Sequence, residues 1–290
     1  MSQVVAIIGA GGKMGARAVQ KLSGDSRYQV LACESNLARA AELRTAGVEI
    51  IPVEEALRRS DFVVMAVPDA LIGRMAHDFA PLMKVTATLI MLDAAAAFID
   101  QLPDAGKLTF MIAHPCHPPM FVEQHSSQSR RDYFGGTATQ DIIVSLACGS
   151  RANFEEGTEL CKIMFSPVRH AHEVTPAQFA LLEPAMSEIV VATAACLMKA
   201  SLDLAIEKGV PEKAANAFMA GHAQIAMAIA FGEEKSPFSD AAQIAIHWGT
   251  EHIIRPDWRR VFEPDVLRQA IRAMLLSDSD ANESKSVSRV

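Results

Sequence analysis

Along the first 170 residues, short apolar runs rich in β-branched side chains alternate with segments whose apolar positions recur every three or four. The runs fall at 4–8, 29–33, 48–51, 61–67, 86–92, 108–113 and 141–147. They are continuous rather than alternating, as expected of strands buried on both faces. Between them the spacing predicts helices over 16–22, 37–46, 53–58, 69–79 and 153–165. Strands alternating with helices build βαβ units, and hence a parallel sheet wound right-handed with helices on both faces. The stretch 115–136 reads as a long loop rich in His, Pro, Ser and Arg. Loops of that length inside a compact domain commonly serve function or motion.

From Thr175 the period changes, and no strand signal follows. Thr175-Pro176-Ala177-Gln178 is a helix start, with Thr as N-cap, Pro at the first helical position and Gln at the third. Apolar residues then continue to Ile206, with Gly209 and Pro211 as the stop and Pro184 as the one interruption. Proline inside a helix kinks it and frees the carbonyl four residues back, here that of Ala180. Further helices are predicted near 212–230, 239–254 and 264–276. The pattern therefore divides the chain into an α/β domain over 1–170, an all-α domain over 171–276, and a polar tail, expected to be disordered, over 277–290. A long apolar helix is hard to cover within one subunit, so a homodimer packed through it is expected.

The first strand runs into Gly9-Ala10-Gly11-Gly12-Lys13-Met14-Gly15, which reads best as G-x-x-G-x-x-G with Gly11 extra. A strand, a glycine-rich turn and a helix start together present free backbone N–H groups and a helix dipole to a pyrophosphate. That is the dinucleotide-binding arrangement of a Rossmann, doubly wound parallel sheet. Glu34 ends the second predicted strand at the position where an acid accepts hydrogen bonds from the adenosine ribose. Its charge would repel a 2′-phosphate, and the nearest arginine is Arg39, so NAD is expected rather than NADP. Asp69, just beyond the fourth predicted strand, is placed to line the cofactor or substrate cleft.

Composition narrows the classes. At 290 residues the chain can bury two ordinary cores, and a formal charge of −7 argues against nucleic acid and anionic membrane surfaces. Five scattered cysteines without a CxxC pair suit a reducing cytoplasm. The N-terminus lacks a basic signal-peptide region, and the most apolar helical stretch, 189–198, is too short to span a bilayer. A soluble cytoplasmic protein is expected.

The strongest candidate chemistry is Ala113-His114-Pro115-Cys116-His117-Pro118-Pro119, where the sixth predicted strand ends. Oxidising an alcohol requires a group that takes the hydroxyl proton as the hydride leaves, and an imidazole titrating near neutrality suits that task. His114 is the proposed acid/base and His117 a substrate ligand. Two other readings stand beside this one: a zinc site, although no second Cys/His cluster follows, and a Cys116 thiolate attacking an aldehyde. In the helical half, Glu183 and Glu188 flank Pro184, and the apolar run after Glu188 marks it as the group expected to be buried. His222 sits on an otherwise apolar helix, where the plain alternative is a hydrogen-bonded core histidine. Ser239-Asp240 opens the next helix, as a cap or as polar groups facing a cleft.

Taken together, the 9–15 loop, His114-Pro115-Cys116-His117-Pro118-Pro119, Leu182-Glu183-Pro184 with Glu188, Gly221-His222 and Ser239-Asp240-Ala241 resemble the apionate oxidoisomerase family. Its members are NAD-dependent proteins with a phosphogluconate-dehydrogenase-like C-terminal domain. The resemblance implies oxidation of a branched sugar acid coupled to carboxylate migration, giving a 3-oxo acid. It also implies pyrophosphate contacts from Gly9, Gly11, Gly12, Lys13, Met14 and Gly15, catalytic roles for Glu188 and His222, and substrate contacts from Glu183 and Asp240. Such a shift would benefit from a Lewis acid, Mg²⁺ or Mn²⁺, with Glu188 and Glu183, Asp240 or His222 as ligands. A plain β-hydroxyacid or semialdehyde dehydrogenase and a non-catalytic dinucleotide sensor remain the alternatives.

Overall fold

A computed structural model of the chain describes residues 2–280. Five strands run parallel: β1 (Gln3–Ile8), β2 (Tyr28–Cys33), β3 (Phe62–Met65), β4 (Thr88–Met91) and β5 (Thr109–Pro115). Helices α1 (Lys13–Ser23), α2 (Leu37–Thr45), α3 (Val53–Arg59), α4 (Asp69–Phe79) and the short α5 (Ala95–Phe98) connect them. Then follow β6 (Gln140–Cys148), α6 (Arg151–Met164) and β7 (Val168–Glu173). The sheet order is β2-β1-β3-β4-β5-β6-β7.

Alternate residues of each central strand feed two separate cores. Ile8, Met65, Met91 and Ile112 pack with Leu57 and Ile72 on one face. Ile7, Val64, Ile90 and Met111 pack with Leu22 and Phe154 on the other. Burial on both faces is why these runs read as continuous. Because β2 lies on one side of β1 and β3 on the other, the chain reverses its winding between β1 and β3. Ligands of open α/β sheets bind at such a reversal, beyond the strands' C-terminal ends.

Several expectations are corrected. Residues 48–51 form no extended strand, only a single bridge between Ala32 and Ile50. β6 runs antiparallel to β5, while β7 is parallel to β6, so the sheet is parallel-dominated rather than wholly parallel. A long connection without a crossover helix allows that reversal. β7 escaped prediction because Arg169-His170-Ala171-His172-Glu173 is an edge strand with most of its side chains in water.

By contacts the chain forms two compact units, one of residues to Ala180 joined by those from Arg268 on, the other Leu181–Leu267. The first includes α7 (Pro176–Ala180), capped as expected by Thr175, whose hydroxyl accepts the Gln178 amide at 3.2 Å while Gln178 returns a bond to the Thr175 amide at 2.9 Å. The second holds the wide-turned helical segment Leu181–Ala192, then α8 (Thr193–Glu207), α9 (Glu212–Ala230) and α10 (Asp240–Ile253). The expected kinked helix is in fact interrupted. Glu183 adopts extended angles (φ −139°, ψ 121°), because the ring of a following proline disfavours the helical region for the residue before it. The last helix, α11 (Pro264–Asp280), begins in the second unit and carries on through 277–280, part of the expected tail. Residues 281–290 lie outside the described residues.

The helical unit buries little of itself. In α8 and α10 no residue is buried, and in α9 only Ala215 is. Leu197, Phe218, Ile244 and Trp248 are each more than half exposed. Among the described residues one stretch, Pro176–Glu207, is long and apolar enough to cross a membrane by length and composition, more than 189–198 alone suggests, although it is interrupted at Glu183.

Candidate functional site

The glycine turn is built so that side chains cannot fit. Gly9 has φ +82°, a left-handed conformation that favours glycine. A Cβ on Gly9 would strike the carbonyl of Ala66, beyond β3, and a Cβ on Gly15 would strike the carbonyl of Gly9. The turn is anchored to β2 by the amides of Gly9 and Ala10, which both donate to the Cys33 carbonyl, at 2.9 and 3.0 Å. Past this cradle α1 starts at Lys13, and Met14 tucks against the core beneath it. Glu34 is locked in place: its carboxylate accepts the amide of Gly11 at 2.8 Å and that of Asn36 at 2.8 Å. A Cβ on Gly11 would lie 2.8 Å from that carboxylate and 2.6 Å from Arg39 Cβ. An acid at the end of β2, a glycine turn and a helix N-terminus thus lie together, the arrangement found at dinucleotide sites of such sheets. Asp69, exposed, is the first residue of α4, just past the Ala66–Val67 segment that touches Gly9.

His114 and His117 do come together. His114 Nδ1 lies 2.8 Å from the carbonyl oxygen of Leu92, at the end of β4. A carbonyl only accepts, so His114 Nδ1 is the donor of this bond, and the bond fixes the orientation of the ring. The His117 ring stands nearly perpendicular to it (87°, centroids 6.0 Å apart), and its Nδ1 meets the Phe134 carbonyl at 3.1 Å. His117 itself has φ +61°, an uncommon conformation for a residue with a Cβ and one that tends to cluster at functional sites. Cys116, on the same turn, is exposed.

Asp93 went unnoticed in the sequence. It is buried, and its carboxylate accepts the Ala95 amide at 2.6 Å, fixing the turn that presents the Leu92 carbonyl. An acid directly after a strand end was its signal. Arg17, a buried cation on the core-facing side of α1, was also missed; a charge among Ala18, Val19 and Leu22 is what could have revealed it. Asp132 organises the long loop: its carboxylate accepts the amides of Gly135, Gly136, Thr137 and Ala138 at 2.6–3.0 Å.

Two of the helical-unit residues, Glu188 and His222, are positioned differently from expectation, while Ser239 caps α10 as one reading had it. Glu188 is exposed rather than buried, since the apolar residues after it are themselves partly or fully in water. His222 is no core histidine either: it is exposed, stacked on Phe218 at 3.8 Å, with Nδ1 bonded to the Phe218 carbonyl at 2.9 Å. Asp240 is exposed at the first position of α10, behind the Ser239 cap, and Glu183 is half-buried at the break. Among the described residues no three His, Cys, Asp or Glu side chains gather as a metal site.

Residues 122–275 match a family model described as phosphogluconate dehydrogenase (decarboxylating), C-terminal, and residues 4–97 match one described as NADP oxidoreductase, coenzyme F420-dependent. The D-apionate oxidoisomerase of Rhizobium rhizogenes is 39% identical over 271 residues, 93% of this chain and 98% of its own. This chain belongs to the D-apionate oxidoisomerase family. The Cupriavidus necator member is 38% identical over 94% of this chain and 99% of its own. A crystal structure from C. necator, described as a semialdehyde dehydrogenase NAD-binding protein in complex with calcium and NAD, superposes with a TM-score of 0.90. It is 38% identical, over 94% of this chain and all of that one. A ketol-acid reductoisomerase from an uncultured archaeon shares the fold, with a TM-score of 0.67 at 16% identity.

Proposed function

We propose that this chain is an NAD-dependent oxidoreductase that oxidises the hydroxyl-bearing carbon of D-apionate or a closely similar branched polyhydroxy acid, with oxidation coupled to isomerisation. The carrying observation is kinship of 38–39% over nearly the whole chain with proteins named for that reaction. The glycine cradle and His114, whose ring is held by the Leu92 carbonyl, support it independently. NAD, when bound, supplies the hydride acceptor. Gly9, Gly11, Gly12 and Gly15 bring backbone against the pyrophosphate, with Lys13 and Met14 starting the helix beside it, and Glu34 accepts the ribose hydroxyls. His114 Nε2 takes the substrate hydroxyl proton, while Leu92 holds the ring in register. His117 binds the substrate. Glu34 also favours NAD over NADP, since a 2′-phosphate would meet a carboxylate held by the Gly11 and Asn36 amides.

A divalent cation belongs to this reading only as an added component. The described residues of one chain gather no set of three His, Cys, Asp or Glu ligands for it. Glu183, Glu188, His222 and Asp240 are proposed as substrate-side groups of the helical unit.

The uncovered apolar face of that unit is assigned to a second copy, giving a homodimer. Leu202, Ala205, Val210, Phe218 and Met219 line an apolar groove of about 420 Å³. The Lys199–Asp203 ion pair on α8 suits a protein partner better than lipid. All five cysteines are thiols, which suits the cytoplasm.

A second reading has one observation behind it. Cys116 is exposed beside both histidines, so an aldehyde substrate could form a thiohemiacetal there. The test is NADH formation from D-apionate and a panel of aldonic acids and semialdehydes, with and without Mg²⁺, for wild type, His114→Gln and Cys116→Ser. Oxidation of the branched acid, lost in His114→Gln and kept in Cys116→Ser, supports the proposal. Activity confined to semialdehydes and lost in Cys116→Ser overturns it. NAD binding without turnover of any compound would mark a sensor.

A further inference from the structure

Besides presenting its N-terminus to a dinucleotide, α1 grips the long loop. Lys13, Arg17 and Lys21 recur every four residues and so form one stripe along the helix. All three reach the same short segment. Lys13 Nζ lies over the Phe134 ring, 4.8 Å from its centroid. Arg17 Nη1 makes a long 3.4 Å bond to the Phe134 carbonyl, and Lys21 Nζ donates to the Gly136 carbonyl at 2.9 Å. The Phe134 carbonyl is also the partner of His117 Nδ1, and the two rings lie 5.4 Å apart.

Arg17 is placed at some cost. It is 8% exposed, its Nη2 donates to the Phe165 carbonyl at 2.7 Å, and its Nε has no hydrogen-bond partner. Burial lowers its pKa, and the attraction of Asp132 opposes that shift. A guanidinium confined this way is worth more for geometry than for stability, because its fork ties two carbonyls of distant segments together. Asp132 holds the same loop from within, through its four amide bonds.

We propose that Arg17 and Lys21 are positioning residues for His117: acting with Lys13 through Phe134–Gly136, they couple an occupied dinucleotide cradle to an ordered substrate-side loop. The grip sits on the helix whose N-terminus closes the cradle, so steadying that N-terminus steadies the loop. The role of His117 and the dinucleotide's place at the glycine turn rest on the function proposed above. The coupling can be measured without turnover.

The experiment uses full-length protein and compares wild type with Arg17→Met, Arg17→Lys, Lys21→Met and Lys21→Arg. Hydrogen–deuterium exchange over 116–138 is followed with and without NAD, alongside NAD affinity, kcat and KM for the acid. Arg17→Met leaves the Phe165 carbonyl a partner in Gln140 Nε2, at 2.8 Å. Lys21→Met alters only a half-exposed side chain, so it keeps the test open if Arg17→Met fails to fold.

In wild type NAD slows exchange of the loop. In Arg17→Met and Lys21→Met that response is lost and KM for the acid rises about tenfold, as for one lost charge-assisted hydrogen bond. NAD affinity and kcat stay within about twofold, and Lys21→Arg restores the wild-type pattern. Arg17→Lys falls between, because an ammonium cannot span two carbonyls. The proposal is overturned if NAD leaves the loop's exchange unchanged in wild type, if both Met variants keep wild-type exchange and KM, or if they lose NAD affinity instead. Should wild type oxidise no acid at all, the functional reading falls while the exchange response still decides the coupling.

Discussion

Replacing Gly15 with alanine tests the cradle most directly. The added methyl would overlap the Gly9 carbonyl oxygen and lie 2.8 Å from the Gly9 carbonyl carbon and 2.9 Å from Ala10 Cα. All three are backbone atoms, so no side chain can swing aside. Gly9 and Ala10 are pinned by the Cys33 carbonyl, which leaves the start of α1 to move, by something on the order of 1 Å. Overpacking of this kind costs about 1–3 kcal/mol. Alanine's helix propensity returns up to about 1 kcal/mol. The net loss should be about 1–2 kcal/mol, so the variant folds. Binding suffers more, since misplacing positioned donors by about 1 Å can cost on the order of 100-fold. Gly24→Ala, at the other end of the same helix, meets nothing closer than 3.5 Å and serves as the control. Denaturant midpoints by circular dichroism and NAD affinity by titration calorimetry read both quantities. A Gly15→Ala protein that binds NAD as wild type does would refute the argument that this turn is the phosphate site.

Glu34→Gln removes the charge while keeping an acceptor for the Gly11 amide. NAD affinity should fall about tenfold and the preference over NADP should shrink; an unchanged NAD/NADP ratio would count against the ribose assignment. Asp132 is held well below the ordinary carboxylate range, because burial, which raises it, is outweighed by the amides of Thr137, Ala138 and Gly136 and the Thr137 hydroxyl. A depressed carboxylate pKa stabilises the fold above the unfolded value of about 4 and loses that contribution as pH falls below it. Asp132→Asn should therefore be about 2 kcal/mol less stable than wild type near neutrality, and the gap should close only below about pH 4 in pH-dependent unfolding. Sedimentation should show a dimer that Trp248→Glu, on the exposed apolar face, splits into monomers. A monomeric wild type would remove the second copy as the occupant of that face.

Most of the sheet and the cofactor turn were legible because their determinants are local. A buried strand, three glycines, a helix start and an acid about 20 residues on are adjacent in sequence, and each has a backbone or charge requirement that few other residues meet. His114 and His117 were found for a similar reason: they lie three apart at a strand end. β7 was not legible, since an edge strand with solvated side chains carries no apolar period. The reversal of β6 was also hidden, because a run buried on both faces looks the same in either direction. Glu188 was misjudged from its apolar neighbours, which turned out to be in water themselves.

The sequence alone determined the alternation of strands and helices, the helical second half, the dinucleotide turn with Glu34 and the paired histidines. Those follow from period, turn chemistry and charge within short windows. The tertiary structure alone decided that His114 Nδ1 meets the Leu92 carbonyl, that Asp93 sets the turn beside it, and that Arg17, 117 residues away from Phe134, ties α1 to the loop of His117. Each depends on a single backbone carbonyl or amide brought near by folding. No residue type encodes that, because every residue has the same backbone groups.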